Sequence, residues 1–340
     1  MTVYGTGSAQ SFPLQGLVQA PEDEGLQQAV EALAAAGGES VAAILLYGSH
    51  VQNSSPDRFS AYDFLLIADS YRSFFRSLVA GGHHGKPVWV LTALSHILPP
   101  NIISFDPGQV DGPGAKAAVI TPRHFRRALG PHSLDHFLKG RVVQKLALVW
   151  SRGPEEEKVV YSALREARDG IVRWVRPFLR GDFDLERFAE TLLRVSYRGE
   201  IRPESPGRVD QVFQSQREIL MAIGEESLEA AVERGEALRV PGGYRWAKAP
   251  GKTSRMVYSL YFSLSKARAF FRWFKYIVTF EAWVEYITRK IERRAGFVVE
   301  VTERERRWPL IFLWPKMFRV LAAVKRADEG LPPNDGGASA

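Results

Sequence analysis

Tyr47-Gly48-Ser49 closes a short apolar run, and Asp63 stands near the start of a second apolar run after a polar loop spanning 52–60. The order matters chemically. A glycine after a strand lets backbone N–H groups approach a phosphate closely, and the Ser49 hydroxyl can donate to a phosphate oxygen. A carboxylate on the neighbouring strand, Asp63, can then hold a magnesium ion that bridges a triphosphate. This layout predicts a nucleotidyltransferase core. Gly-Ser by itself fits equally a tight turn with a satisfied serine, so the prediction needs support from elsewhere in the chain.

Cores of this type usually carry two carboxylates two residues apart, which places both on one face of a strand. Here the residue two before Asp63 is Ala61, and the next acid is Asp69. Six residues of strand separate Asp63 and Asp69 by about 20 Å, too far to share an ion unless the chain folds back. Asp69 is therefore either a second metal ligand or a strand-ending or helix-capping residue.

The elements that must position these groups follow from periodicity. Leu26 to Ala36 reads as a helix closed by Gly37-Gly38, and Val41 to Leu46 and Tyr62 to Ala68 read as buried strands. Val88 to Leu91, Ile102 to Phe105 and Lys116 to Thr121 add further short strands, giving a mixed α/β sheet. From His132 the period becomes helical: Phe137 to Trp150, Val159 to Leu179, Leu185 to Val195, Val209 to Ile223 and Leu228 to Arg234. Ala237 to Ala247 alternates around Pro241-Gly242-Gly243, a hairpin signal. Helices followed by a small hairpin predict a winged-helix-like module.

Several of these segments resemble, in order, the mitochondrial-type phosphatidate cytidylyltransferases, the translocator assembly and maintenance family. Tyr47-Gly48-Ser49, Asp63-Phe64 and Asp69 are similar to its first motifs, in which an apolar residue also stands two before the first Asp, as Ala61 does. Lys116 to Thr121, then Phe137-Leu138-Lys139-Gly140-Arg141 with Gln144-Lys145, are similar to the next two. Ser196-Tyr197, Gly199-Glu200 and Arg202 match another, and Glu204, Pro206, Arg208 and Val209 a last one after a shortened loop. The resemblance runs from Tyr47 to Val209, roughly half of the chain. It departs at His50, at Ala117-Ala118 and at Leu146, where the family has Gly, Tyr-Gly and Pro.

The resemblance implies attack by an oxygen of phosphatidic acid on the α-phosphorus of CTP, with pyrophosphate leaving and Mg2+ neutralising charge. Such chemistry relies on positioning and electrostatics. It casts Asp63 as metal ligand, with Asp69 a candidate second, and Lys116 as a catalytic cation. Gly48 and Ser49 would cradle phosphates, with Arg141, Lys145 and Arg202 as further phosphate contacts and Tyr197 beside them. For each cation, a surface or helix-flanking charge is the alternative.

Composition narrows the rest. The chain has 340 residues, 45% of them hydrophobic, which suits globular cores in more than one domain. It has no cysteine, so disulfides, zinc–thiolate sites and cysteine nucleophiles are excluded. The amino terminus lacks the basic flank and apolar run of a secretory signal, and no stretch reaches the roughly 18 apolar residues of a membrane span. The expected location is cytoplasmic, peripheral on the inner face of the cell membrane. His83-His84 reads as a solvent-exposed pair in a glycine-rich loop rather than a metal site.

The net charge of +7 is unevenly placed. Residues 1–250 sum to about −1, 251–326 to about +11 and 327–340 to about −3. Four regions are expected: a nucleotidyltransferase domain over 1–130, a winged-helix-like domain over 131–250, a basic amphipathic segment over 251–326 and a disordered tail over 327–340. In the third, Phe270, Phe271, Trp273, Phe274, Tyr276, Phe280 and Trp283 alternate with Lys266, Arg268, Arg272, Lys275, Arg289, Lys290, Arg293 and Arg294. An interfacial helix facing an anionic membrane has this character, and so does a helix packed on a protein core. Nucleic-acid binding is disfavoured, because the hairpin carries only Arg239, Arg245 and Lys248. A membrane-associated assembly factor of the same fold without catalysis is the rival function. Oligomeric state is not legible.

Overall fold

In the computed structural model, the residues described are 17–52, 60–107, 114–199, 206–279 and 301–304. Helix α1 (Glu24–Gly37) begins at Asp23, whose carboxylate accepts hydrogen bonds from the N–H groups of Gly25 and Leu26, and ends at Gly38. Strand β1 (Val41–Tyr47) follows, then the single turn α2 (Ser49–Gln52) and strand β2 (Tyr62–Ala68). Both strands are nearly continuous apolar runs because both faces of their sheet are covered.

Helix α3 (Tyr71–Ala80) is capped by the Ser70 side chain. The strand expected at Val88 to Leu91 is instead the first turn of helix α4 (Val88–Ile97). A four-residue apolar run cannot discriminate the two periods, and continuation through Ala93 and Leu94 decides for helix. Strands β3 (Asn101–Phe105) and β4 (Ala115–Ile120) lie close to their expected positions, followed by α5 (Pro122–Leu129), with proline at its first position, and α6 (Phe137–Val142).

The helix expected through Trp150 stops at Val142, and Ala147–Ser151 forms β5 along the free edge of β1, with Leu46 opposite Ala147 and Ile44 opposite Trp150. The β1 edge decides this conformation, a tertiary partner overriding local period. The sheet therefore takes its fifth strand from beyond residue 130, and the first domain does not end where the sequence suggested. Helix α7 (Pro154–Asp169) then packs against the same sheet.

The five-stranded mixed sheet has the order β3-β4-β2-β1-β5. Only β2 and β4 are parallel; the other neighbours are antiparallel. Period-two alternation sorts the side chains. Ile44, Leu46, Phe64, Leu66, Ala117 and Val119 face a core built with α1, α3 and α4. Leu45, Leu65, Ile67, Ala118 and Ile120 face a second core built with α5, α6 and α7.

A third core gathers α8 (Ile171–Val175), strand β6 (Asp182–Phe183), α9 (Leu185–Ser196), α10 (Pro206–Glu233), the hairpin β7 (Ala237–Val240) and β8 (Gly243–Trp246), and the start of α11 (Lys252–Thr279). The three strands form a small sheet, β6-β8-β7. Helix α10 is one helix where two were expected. Gly224 inside it does not break it: a β-carbon there would lie 3.1 Å from Phe188, so the glycine serves close helix packing.

Helix α11 belongs to the same compact unit as the sheet, Met1–Thr279, and the other unit is Phe280–Ala340. Arg272 is buried against Asp135, and Lys275 donates to the carbonyls of Leu94, Leu98 and Pro100. Ser265 Oγ accepts the His136 N–H at 2.9 Å, and Thr279 Oγ1 donates to the Ile102 carbonyl at 3.1 Å. Two of the cations expected to face lipid, Arg272 and Lys275, thus face protein. His84 is buried too, bonded through Nε2 to the Thr279 carbonyl at 2.8 Å, so the histidine pair is not wholly solvent-exposed. Phe280, Trp283, Arg289, Lys290, Arg293, Arg294 and the 327–340 tail lie outside the described residues.

Candidate nucleotide site at the end of the central strands

Tyr47, Asp63, Lys116 and Ser104 stand in register across four adjacent strands, Tyr47 opposite Asp63, Asp63 opposite Lys116, Lys116 opposite Ser104. Register partners share a sheet face, and alternation places this row on the side of Leu45, Leu65 and Ala118. Tyr47 at one end of the row packs against the core over that face. Asp63 and Lys116 keep side-chain exposures of 31% and 23%, so both charged groups reach solvent. Lys116 Nζ lies 4.0 Å from Asp63 Oδ1, forming an ion pair.

Gly48 makes the bend that closes the row. Its φ is +81°, and a β-carbon there would lie 2.9 Å from Asp63 Oδ2. Only glycine meets both demands, and its backbone is thereby held against the carboxylate. The bend and Asp63 are brought together as the sequence suggested.

Ser49 is engaged locally: its hydroxyl lies 2.8 Å from the Ser60 hydroxyl. His50, where the resembled family has glycine, is buried against the Tyr62 ring at 4.4 Å between centroids, and its Nε2 lies 2.7 Å from the Ser60 carbonyl. The departure at His50 thus pins the loop to the start of β2 and leaves the face carrying Asp63 untouched.

Arg141 borders the row from α6. Its guanidinium lies 3.8 Å from the centroid of the Phe137 ring and 5.8 Å from that of Tyr47, and it donates to the Phe137 carbonyl at 2.9 Å. Lys145 is turned elsewhere, donating from Nζ to the Ser215 carbonyl at 2.9 Å. Arg202 lies outside the described residues.

Asp69 is not part of the site. Strand β2 runs unbroken from Tyr62 to Ala68, so Asp69 sits beyond its opposite end. There it accepts from Arg152 Nη1 at 2.6 Å, and Arg152 also grips Glu156. The second-ligand assignment fails on distance, and Asp69 is a strand-end ion-pair residue.

Tyr197 is tied to the site through Gln144, a residue that sequence reasoning did not single out. Gln144 Oε1 accepts from Gln52 Nε2 at 2.8 Å, Tyr197 Oη at 3.2 Å and Gln216 Nε2 at 3.4 Å. Its own amide donates to the Gly140 carbonyl at 3.0 Å. One buried glutamine thus ties the end of α2, just past the Gly48 bend, to α6, α10 and the end of α9. Its place beside Lys145 in a resembled motif was the available signal.

Among the described residues no three His, Cys, Asp or Glu side chains gather as a metal centre. A single carboxylate suits Mg2+ only where substrate phosphates and water complete the octahedron, the usual arrangement for this ion in triphosphate sites. Asp63 fits that role. No family model matches the chain, and no curated protein matches it. None of the helices described is long and apolar enough to cross a membrane.

Proposed function

We propose that this chain is a nucleotidyltransferase that moves CMP from CTP to phosphatidic acid, forming CDP-diacylglycerol and pyrophosphate. The observation that carries the reading is the row itself: Asp63 against the Gly48 bend, with Lys116 in register at 4.0 Å. The sheet is read as nucleotidyltransferase-like, and the helices with the β6-β8-β7 sheet as winged-helix-like.

The bend at Gly48 offers backbone N–H groups to phosphate oxygens, and the Lys116 ammonium balances negative charge as pyrophosphate departs. Mg2+, when bound with the triphosphate on Asp63, supplies further charge neutralisation. The phosphate oxygen of phosphatidic acid forms the new bond to the α-phosphorus as the bond to the pyrophosphate oxygen breaks. Arg141, at the margin of the row, is suited to the anionic headgroup. The exposed apolar residues Leu260, Leu264, Phe271 and Phe274 of α11 support peripheral contact with lipid, which the reading places on the inner face of the cell membrane.

The lone carboxylate also favours a second reading, an assembly factor that binds nucleotide at a membrane without turnover. Radiolabelled CTP, Mg2+ and vesicles containing phosphatidate test the two. Labelled CDP-diacylglycerol that disappears in Asp63→Ala supports the enzyme. CTP binding without product supports the second reading, and full turnover by Asp63→Ala refutes the assigned site.

A further inference from the structure

A cavity of about 620 Å3 is lined by Lys139 of α6 and not by Arg141, and it shares only Leu260 and Leu264 with the apolar surface assigned to lipid contact. It is bounded by the loop after α5, by α6, by the ends of α7 and α8, and by α11. Leu129, Leu134, Trp174, Val257, Leu260 and Leu264 give it an apolar wall. Its size is that of a small-ligand site. Leu134, Val257, Leu260 and Leu264 are each more than 40% exposed, so the wall is continuous with open apolar surface.

The polar part of the lining is uneven. His132, Arg173, Glu166 and Asp169 are all exposed to water at its edge. Lys139 alone among the charged lining groups is buried, at 8% exposure. Its ammonium donates no hydrogen bond and forms no ion pair among the described residues; it lies 5.9 Å from the centroid of the Tyr261 ring, and the Asp135 carboxylate favours its charged form from a distance. Burial and, secondarily, Arg173 push the Lys139 ammonium down to about 8, so it still carries charge at neutral pH. A buried charge without a partner is costly, and structural lysines avoid it. The same chain shows the contrast, since buried Lys275 has three carbonyl partners.

We propose that this cavity binds a single-chain anionic amphiphile, a molecule of the fatty-acid or lysophosphatidate class. Its alkyl chain lies along the Leu129, Trp174 and Leu264 wall, and its anionic head meets Lys139, with Arg173 beside it. The assignment rests on an apolar cavity lined by one largely buried lysine, whose ammonium has no hydrogen-bond or ion-pair partner among the described residues.

The test uses the full chain with cis-parinaric acid, a fluorescent long-chain fatty acid, and its methyl ester as the chain-matched neutral control. Saturable binding of the acid is expected, with the ester weaker by about tenfold or more. Lys139→Met is expected to weaken the acid by a similar factor while holding or raising the thermal midpoint, because it removes an unpaired buried charge. A lysine with only a structural role would lose stability instead. Leu264→Trp, at the exposed mouth, is expected to block both probes without unfolding the protein. Absence of saturable binding, equal affinity for acid and ester, or unchanged affinity in both variants overturns the proposal.

Discussion

Asp63 and Lys116 face each other from parallel strands β2 and β4, in register and 4.0 Å apart between Oδ1 and Nζ. A partly exposed pair at that separation adds little to stability, at most about 1 kcal/mol. Its arrangement at the open end of a covered sheet face is therefore better explained by a ligand than by folding.

The acid within β2, Asp63, and the acid just past its end, Asp69, separate function from structure. Asp63→Asn is expected to lower CDP-diacylglycerol formation by about a hundredfold or more, with a nearly unchanged urea midpoint. Asp69→Asn is expected to keep the rate and lose under about 1 kcal/mol of stability, because its ion pair with Arg152 is exposed. Parallel rate and denaturation measurements on both variants check this. A rate loss in Asp69→Asn would restore that residue to the site.

Gly48→Ala introduces two faults at one position. The left-handed backbone costs about 1–2 kcal/mol for a residue with a β-carbon, and the added methyl meets Asp63 Oδ2. The variant is expected to fold with a lowered midpoint and to bind CTP more weakly, readable by equilibrium dialysis. Wild-type affinity would mean that the bend does not touch nucleotide.

Asp135 is the counter-ion of Arg272, whose side chain is 3% exposed. Asp135→Asn leaves a buried guanidinium without its charge partner and is expected to cost about 3–5 kcal/mol. Pairing Asp135→Asn with Arg272→Met keeps an acceptor for the Phe137 N–H, removes the buried guanidinium and should recover part of that loss, the Arg268 contact at 3.6 Å remaining broken. Equal destabilisation in the single and double variants would contradict the ion-pair account.

His136 makes stability depend on acidity. Burial, reinforced by Lys139 and Arg141, lowers its imidazole from 6.5 to about 3. The unfolded chain takes up a proton below 6.5 that the folded chain refuses until about 3. Its contribution is complete above the higher value and falls as pH drops through that window, with a slope of at most about 1.4 kcal/mol per pH unit. His136→Asn is expected to flatten that slope in urea titrations compared at neutral pH and at about pH 4. An identical slope in wild type and variant would assign the acid sensitivity elsewhere.

Strands with both faces covered announced themselves as apolar runs, so β1 and β2 and the acid near the start of β2 were readable from residue types alone. The Gly48 bend was equally plain. Val88 to Leu91 misled because four apolar residues carry no period, and β5 because its conformation is set by the exposed edge of β1 rather than by its own residues. Lys145 and Asp69 looked like site residues by order in the chain, yet they bond Ser215 and Arg152, 70 and 83 residues away. Gln144 was invisible as a hub because its three donors come from segments 53 to 92 residues away. The cavity beside Lys139 likewise has walls from α5 through α11, and no window of sequence contains it.

The carbonyls of Leu94, Leu98 and Pro100 receive their shared donor from a side chain 175 to 181 residues further on. Synthesis proceeds from the amino end, so the sheet's outer helix leaves the ribosome long before Lys275 is made. Until Lys275 arrives those oxygens have only water to bond, so this closure waits on a segment far along the chain. Proteins shortened ahead of residue 275 would stay in that unfinished form, which makes α11 the latch of the sheet.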